Sequence, residues 1–114
     1  MSRVPLNESV PIILVGGAGT ASAGPLTARE RWYPTTVSVR ANQNPTNEAS
    51  CYIYAGFSAT ADNFIDSSFT GSSGDSTGAI EGVVLTNPMK VFAVWSGGDS
   101  GFQATMTVIG EKEV

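Results

Sequence analysis

The sequence predicts an all-β fold: an antiparallel β-sandwich of about seven to eight strands in one domain spanning residues 1–114. No long segment has apolar side chains at the helical period. Short apolar runs alternate instead with clusters of Gly, Pro, Asn, Asp and Ser, the pattern of strands joined by turns. Without helices for crossovers, such strands pair antiparallel and stack as two sheets. Jelly-roll and immunoglobulin-like strand orders both satisfy this pattern.

Strands are predicted where an apolar run lies between two turn clusters. The first is residues 10–15, and residues 1–9 before it are predicted to form an N-terminal arm. The next strands are residues 31–40, 50–55 and 79–85, the last bent at Gly82. Residues 16–30 and 56–78 are predicted as irregular segments, with Phe64, Ile65 and Phe69 anchoring the second one to the core.

A proline near its start limits where the strand 31–40 can lie in a sheet. Pro34 places this strand at an edge or bends it near its start, because proline cannot donate a hydrogen bond to a neighbour. Simple alternation then predicts that Val37 and Val39 share a face with Tyr33 and Thr35.

The end of the sequence is predicted to form a β-hairpin from the strands 89–95 and 101–109. The connector between them is rich in Gly, Asp and Ser, which tolerate the positive φ of tight turns. Alternation predicts two apolar faces, formed by Val91, Ala93 and Trp95 on the first strand and by Phe102, Ala104, Met106 and Val108 on the second. Trp95 is expected in the core.

Charge and composition argue against several classes of function. The net charge is −4 and the six Lys and Arg residues are scattered in the sequence, so no basic block is present to bind nucleic acid. No apolar stretch approaches the length of a membrane span. Only 14% of the residues are charged, and Thr, Ser, Gly and Asn take their place. Such a composition is typical of extracellular or virion β proteins and not of cytosolic enzymes.

One motif suggests catalysis. Residues 98–101, Gly-Asp-Ser-Gly, spell the nucleophile signature of trypsin-like proteases. That chemistry needs a general base beside the serine, and the chain has no histidine. A Ser-Lys pair would need Lys90 or Lys112 buried beside Ser100. We interpret the motif as the hairpin turn, and we expect no catalytic residue and no enzymatic activity.

No cofactor or metal is expected. One cysteine and no histidine disfavour a zinc site, and Cys51 is interpreted as a buried core residue. Residues 16–20, Gly-Gly-Ala-Gly-Thr, lack the Lys of a phosphate-binding loop. Four aspartates in or near Gly/Ser-rich segments are interpreted as turn and cap residues, with calcium binding as the alternative: Asp62, Asp66, Asp75 and Asp99.

Aromatic residues are the candidate binding groups. Trp32, Tyr52, Tyr54 and Phe57 are proposed to form an exposed patch for protein or sugar contact, although about half of them are expected in the core. In the strand 50–55, Tyr52 and Tyr54 are predicted on the face opposite Cys51, Ile53 and Ala55.

The run 11–15 is a second candidate for contact with a neighbour. It is apolar and has no charge. It is either an edge strand that pairs with an adjacent subunit or a buried central strand.

Four segments together resemble small virion proteins of tailed bacteriophages: residues 24–32, 69–77, 91–99 and the alternating strand 104–108. The resemblance implies a β-sandwich virion component, present in symmetric copies on the tail or the capsid surface. These segments are loop and hairpin motifs without catalytic meaning, so the resemblance assigns no binding residue.

The expected function is therefore a non-enzymatic structural protein, assembled in the host cytoplasm and located in the virion. Its expected partners are other virion proteins and further copies of itself, with no nucleic acid and no membrane. A tail position is favoured, and capsid decoration is the alternative. The competing function is a module that binds a host-surface glycan or receptor through Tyr52, Tyr54 or the segments 56–78 and 96–101.

Overall fold

A computed structural model describes residues 3–41, 49–70, 75–79 and 82–114. Its regular structure is β apart from one short 3₁₀ turn, η1, at Ala61–Asn63. The strands are β1 (Arg3–Ile13), β2 (Gly19–Ala23), β3 (Arg31–Arg40), β4 (Ala49–Gly56), β5 (Phe64–Thr70), β6 (Asp75–Ala79), β7 (Leu85–Thr86), β8 (Lys90–Ser96) and β9 (Gln103–Glu113).

Two antiparallel sheets pack face to face, which confirms the predicted sandwich. Sheet I has the strand order β1-β9-β3-β6, with the two-residue β7 also paired to β3. Sheet II has the order β2-β8-β4-β5. The sheets approach each other at both sides, where β1 nears β2 and β6 nears β5.

This strand order is that of a jelly roll. When β7 is set aside, the first four strands pair in reverse order with the last four: β1 with β9, β2 with β8, β3 with β6, and β4 with β5. The chain is therefore one long antiparallel ribbon that is folded back on itself after β4. Rolling up this ribbon adds the two remaining pairings, β3 with β9 and β4 with β8.

Because of this strand pairing, the prediction of a C-terminal hairpin is wrong. Both of its strands exist, but β8 lies in sheet II and β9 lies in sheet I. The connector between them crosses from one sheet to the other instead of turning back within a sheet. The predicted apolar faces are confirmed for the strand residues, all of which are buried: Val91, Ala93, Trp95, Ala104, Met106 and Val108. Phe102 precedes β9 and is half exposed, so its predicted place on that apolar face is wrong.

The ribbon bends from sheet I to sheet II at a corner formed by residues 14–18 and 97–102. Backbone hydrogen bonds hold its two chains together: Leu14 N–H to Phe102 O at 2.9 Å, Gly101 N–H to Leu14 O at 2.8 Å, and Gly98 N–H to Gly17 O at 3.0 Å. Gly17 has a positive φ of 77°, and a Cβ at this position would overlap the carbonyl of Gly98. Glycine is therefore required where the two chains cross.

A β-bulge corrects the predicted faces of β3. The register between β3 and β9 shifts between Pro34 and Thr36. Trp32 and Pro34 are therefore buried on the same side as Val37 and Val39, whereas Tyr33 and Thr35 do not share that face. Pro34 lies at this irregularity, which agrees with the predicted bend near the start of the strand. The alternative prediction, an edge position, is wrong because β3 is a central strand between β9 and β6.

Other boundaries also differ from the predictions. β2 lies in the segment 16–30, and β5 and β6 lie in the segment 56–78, although both segments were expected to be irregular. The predicted strand 79–85 is not continuous, because residues 82–84 lie outside any strand, while residues 80–81 fall outside the described part. Residues 3–9 are not a separate arm, since they pair with β9 as the first half of β1.

Replacement of Trp95 by alanine tests the core. Trp95 is fully buried on β8 between the two sheets, so Trp95→Ala is expected to lower the free energy of unfolding by about 3–5 kcal/mol. Chemical denaturation measures this loss. Phe102→Ala, at a half-exposed position, is the control and is expected to cost less than about 1 kcal/mol. Equal losses for the two variants would contradict the assignment of Trp95 to the core.

Candidate interaction surface

The outer faces of the two sheets differ in chemistry. The outer face of sheet I is mostly polar and partly charged, with Ile13 and Ile109 as its large exposed apolar side chains among the described residues of β1 and β9. Ser9 and Thr107 share a hydrogen bond between their hydroxyl groups at 3.0 Å. At one end of this face, the Arg3 guanidinium lies 3.9 Å from the centre of the Tyr33 ring and 3.6 Å from the Glu113 carboxylate. These groups already have partners within the molecule and favour a hydrated surface.

The outer face of sheet II presents aromatic rings. Tyr52 and Tyr54 point outward from β4, and Phe64, the first residue of β5, stands against both. The ring centres of Tyr52 and Phe64 are 6.0 Å apart and those of Tyr54 and Phe64 are 5.8 Å apart, both in edge-to-face orientation. Such contacts fix the rings relative to one another. Tyr52 is nevertheless 46% exposed and Phe64 47% exposed.

β8 extends this surface across the sheet. Val94 lies opposite Tyr52 and Phe92 lies opposite Tyr54, and both side chains are half-buried on the outer side. We call these five residues the aromatic face: Tyr52, Tyr54, Phe64, Phe92 and Val94. Polar residues on the same side of sheet II bear hydroxyl groups: Thr20, Ser22, Ser50 and Ser96. Among the described side chains of this face, the one charged group is Lys90, at the end of β8.

The structure separates the four predicted aromatic residues. The placement of Tyr52 and Tyr54 opposite Cys51 and Ile53 is confirmed. Phe57 is 69% exposed but lies in the loop after β4.

Trp32 is only 3% exposed, and its Nε1 donates a hydrogen bond to Glu30 at 3.3 Å. Its assignment to an exposed patch is therefore wrong: it is one of the core residues expected among the four, because the bulge in β3 turns it inward.

Phe64 was missed as a surface residue. Phe64 and Ile65 were expected to anchor an irregular segment, but they are the first two residues of β5, where its register with β4 shifts. Ile65 packs against the core and Phe64 faces out. Alternation could have separated the two residues only if β5 had been recognised as a strand.

The Gly-Asp-Ser-Gly motif lies at the corner of the ribbon and not in a hairpin turn. The Ser100 hydroxyl accepts a hydrogen bond from the Gly16 N–H at 3.0 Å, which joins the two chains of the corner. Lys112 lies near the opposite end of β9, and Lys90 lies at the far end of β8 from this corner. Neither amine is placed to activate Ser100, and Ser100 has a structural partner.

The described side chains form no metal-binding cluster, since no group of three His, Cys, Asp or Glu residues converges among them. Asp66 and Asp75, two of the four aspartates considered for calcium, have side chains outside the described part. Across the ranges that the structure describes, no helix has the length and apolar character needed to span a membrane.

Comparison with known protein families and with curated proteins gives no match for this chain.

The free edge of sheet I is shaped by proline. β1 is the first strand of its sheet, so the edge alternative for the run 11–15 is the one that the structure shows. Leu14 exchanges backbone hydrogen bonds with the chain before β9, and the register between β1 and β9 is unbroken. Even-numbered residues of β1 therefore turn their N–H and C=O groups towards β9, and odd-numbered residues turn theirs towards the free edge.

Pro5 and Pro11 both occupy odd-numbered positions of β1. A proline there loses no hydrogen bond within the sheet, but it deprives the free edge of a donor. The edge therefore has gaps in its donors at two places along its length. This arrangement discourages the pairing of another strand, contrary to the role suggested for the run 11–15.

Restoring these donors tests the role of the prolines. The double variant Pro5→Val and Pro11→Val is expected to associate edge to edge, because its free edge gains two N–H donors. Thioflavin T fluorescence and light scattering at increasing concentration measure this association. Asn7→Val is the matched control, since it adds a valine on the same strand without adding a donor. If the double variant and the control behave alike, the prolines do not protect the edge.

Cys51 yields a prediction about reactivity. Burial raises the pKa of its thiol to about 12, although a backbone hydrogen bond at Val94 acts in the opposite direction. The native protein is therefore expected to resist thiol reagents near neutral pH and to react after unfolding.

The raised pKa also predicts that stability is retained below about pH 9 and declines above it, because the unfolded thiol then ionises while the folded one does not.

Ile109→Cys, on the exposed side of sheet I, is the control for the labelling of Cys51 by thiol reagents. Fast labelling of native Cys51 would contradict the burial.

Proposed function

We propose that this protein is a non-enzymatic structural component of a tailed-bacteriophage virion, which assembles through protein–protein contacts. The observation that supports this most directly is the aromatic face: exposed aromatic and apolar side chains on a sheet, with hydroxyl groups around them and, among the described side chains, a single charged group, Lys90. Tyr and other aromatic residues are enriched at protein interfaces, where charged residues are depleted. The resemblance of residues 24–32, 69–77, 91–99 and 104–108 to phage virion proteins supports a location in the virion without distinguishing tail from capsid, and of these two we favour the tail.

The jelly-roll strand order adds support by analogy. This architecture recurs in viral capsid domains, but a fold by itself does not assign a function. The proposal accounts for the small charged fraction and the exposed aromatic rings without requiring a catalytic centre. Ser100, the one residue in a catalytic signature, has a role in the corner of the ribbon.

Mass spectrometry of purified particles tests the proposal. Particles released from a host that expresses the gene are expected to contain this chain in a fixed ratio to the other structural proteins. Hydroxyl-radical footprinting is expected to show Tyr52 and Phe64 protected in the particle relative to the free protein. Ile109, on the outer face of sheet I and 41% exposed, is the matched reference position. Absence of the chain from intact particles would overturn the proposal.

A carbohydrate-binding module is the second candidate. Exposed rings such as Tyr52 and Phe64 offer apolar surfaces on which sugars can stack, and jelly rolls also occur in lectin domains. A glycan array probed with the native protein and with Tyr54→Ala distinguishes the two functions. Binding that is lost in the variant, with no chain found in particles, would favour the sugar-binding function.

A further inference from the structure

The aromatic face is the surface of this molecule that is best suited to a partner. The free edge of β1 has gaps at Pro5 and Pro11, so addition of a strand there is disfavoured. On the outer face of sheet I, Arg3 forms an ion pair with Glu113. Burying those groups under a partner would require removing their water as well. The face of sheet II has no comparable ion pair among its described side chains.

The polar groups of the aromatic face are self-complementary. A hydroxyl group both donates and accepts hydrogen bonds, so a surface whose polar groups are hydroxyls can satisfy a copy of itself. The Tyr52 and Tyr54 hydroxyls have no hydrogen-bond partner among the described residues. A face made of carboxylates or of amines would instead repel its own copy.

The net charge of the chain also favours a second copy as the partner of the aromatic face. Each chain has a net charge of −4, so two copies repel each other over most of their surfaces. The aromatic face is the place where two copies can meet without bringing like charges together, because its described charge is confined to Lys90 at one end. A partner that recognised the face through ion pairs would find only Lys90 to bind among its described side chains.

We propose that the aromatic face is covered by the same face of a second copy of this chain, so that two jelly rolls stack sheet II against sheet II around a two-fold axis. In such a dimer each residue contacts the equivalent surface of the other copy. Two sheets that pack face to face lie about 10 Å apart. The inference rests on the proposed function, which selects the aromatic face as the assembly surface. It adds the identity of the first partner at that face, a second copy of this chain.

The size of the surface sets the expected affinity. Sheet II has four strands at a spacing of about 4.8 Å, and its central strand β8 has seven residues at about 3.3 Å each, so the face covers roughly 450 Å². This is smaller than a standard interface, which buries about 800 Å² on each partner. The dimer is therefore expected to form with a dissociation constant of about micromolar order. In a larger assembly, contacts with further neighbours would add to the stability of this dimer.

Sedimentation velocity of the purified chain across the micromolar range tests the dimer. The native protein is expected to shift from monomer to dimer as its concentration rises. Tyr52→Ser and Phe64→Ser are each expected to weaken the dimer at least about tenfold. Ile109→Ser, which removes a similarly exposed apolar side chain from sheet I, is expected to leave the dimer unchanged.

A second measurement excludes misfolding as the cause of any dissociation. Near-ultraviolet circular dichroism reports on the buried Trp32 and Trp95, and it should be the same in each variant as in the native protein. If a serine variant loses this signal, Val94→Thr, which keeps the side-chain shape and adds a hydroxyl at the centre of the face, replaces it. We expect Val94→Thr to weaken the dimer while preserving the signal.

Two outcomes would overturn the inference. One is a native protein that stays monomeric throughout the concentration range, and the other is a dimer that persists in the variants of the aromatic face. The proposed function is judged separately, by the presence of the chain in purified particles. A monomeric protein found in particles with Tyr52 protected would refute the dimer and leave the structural role in place, with another virion protein on this face.

Discussion

The pairing of the first four strands with the last four, in reverse order, is the constraint on which the rest of the structure depends. It makes the chain a single antiparallel ribbon, and the ribbon can bury its apolar side only by rolling up. Each bend in the ribbon must move two chains together from one sheet to the other. The corner at residues 14–18 and 97–102 shows how this is done, with backbone hydrogen bonds joining the chains and Gly17 at their crossing. Ser100 belongs to this corner, where its hydroxyl accepts a hydrogen bond from the Gly16 N–H and so has a structural role.

Rolling also decides which side chains remain outside. Once β8 is placed between β2 and β4, Phe92 and Val94 must lie beside Tyr52 and Tyr54. Phe64 joins them from the neighbouring strand β5. Five residues that are spread over about forty positions of the sequence thereby become one continuous surface. The aromatic face is thus a product of the strand order as much as of the residues themselves.

The two sheets have distinct relations to solvent and to partners. Sheet I turns hydroxyl and charged groups outward and has prolines along its free edge, which limits uncontrolled pairing. Sheet II turns aromatic rings outward, and these favour a specific contact. The proposed role in a virion would use both properties, because such a component must remain soluble before assembly and bind defined neighbours afterwards. The proposed dimer through sheet II would cover the aromatic rings while leaving sheet I hydrated.

The sequence by itself determined the β class and most of the inward and outward positions within single strands. Alternation placed Cys51 and Ile53 inside and Tyr52 and Tyr54 outside, and it predicted the buried positions of β8 and β9, because side-chain direction in a strand depends only on local geometry. Tertiary structure alone decided which strands pair. The apparent hairpin at the C-terminus is a crossing between sheets, because β8 pairs with β2 and β4 whereas β9 pairs with β1 and β3. It likewise decided that Trp32 is buried and Phe64 exposed, because a bulge against β9 and an unrecognised strand set the direction of each side chain.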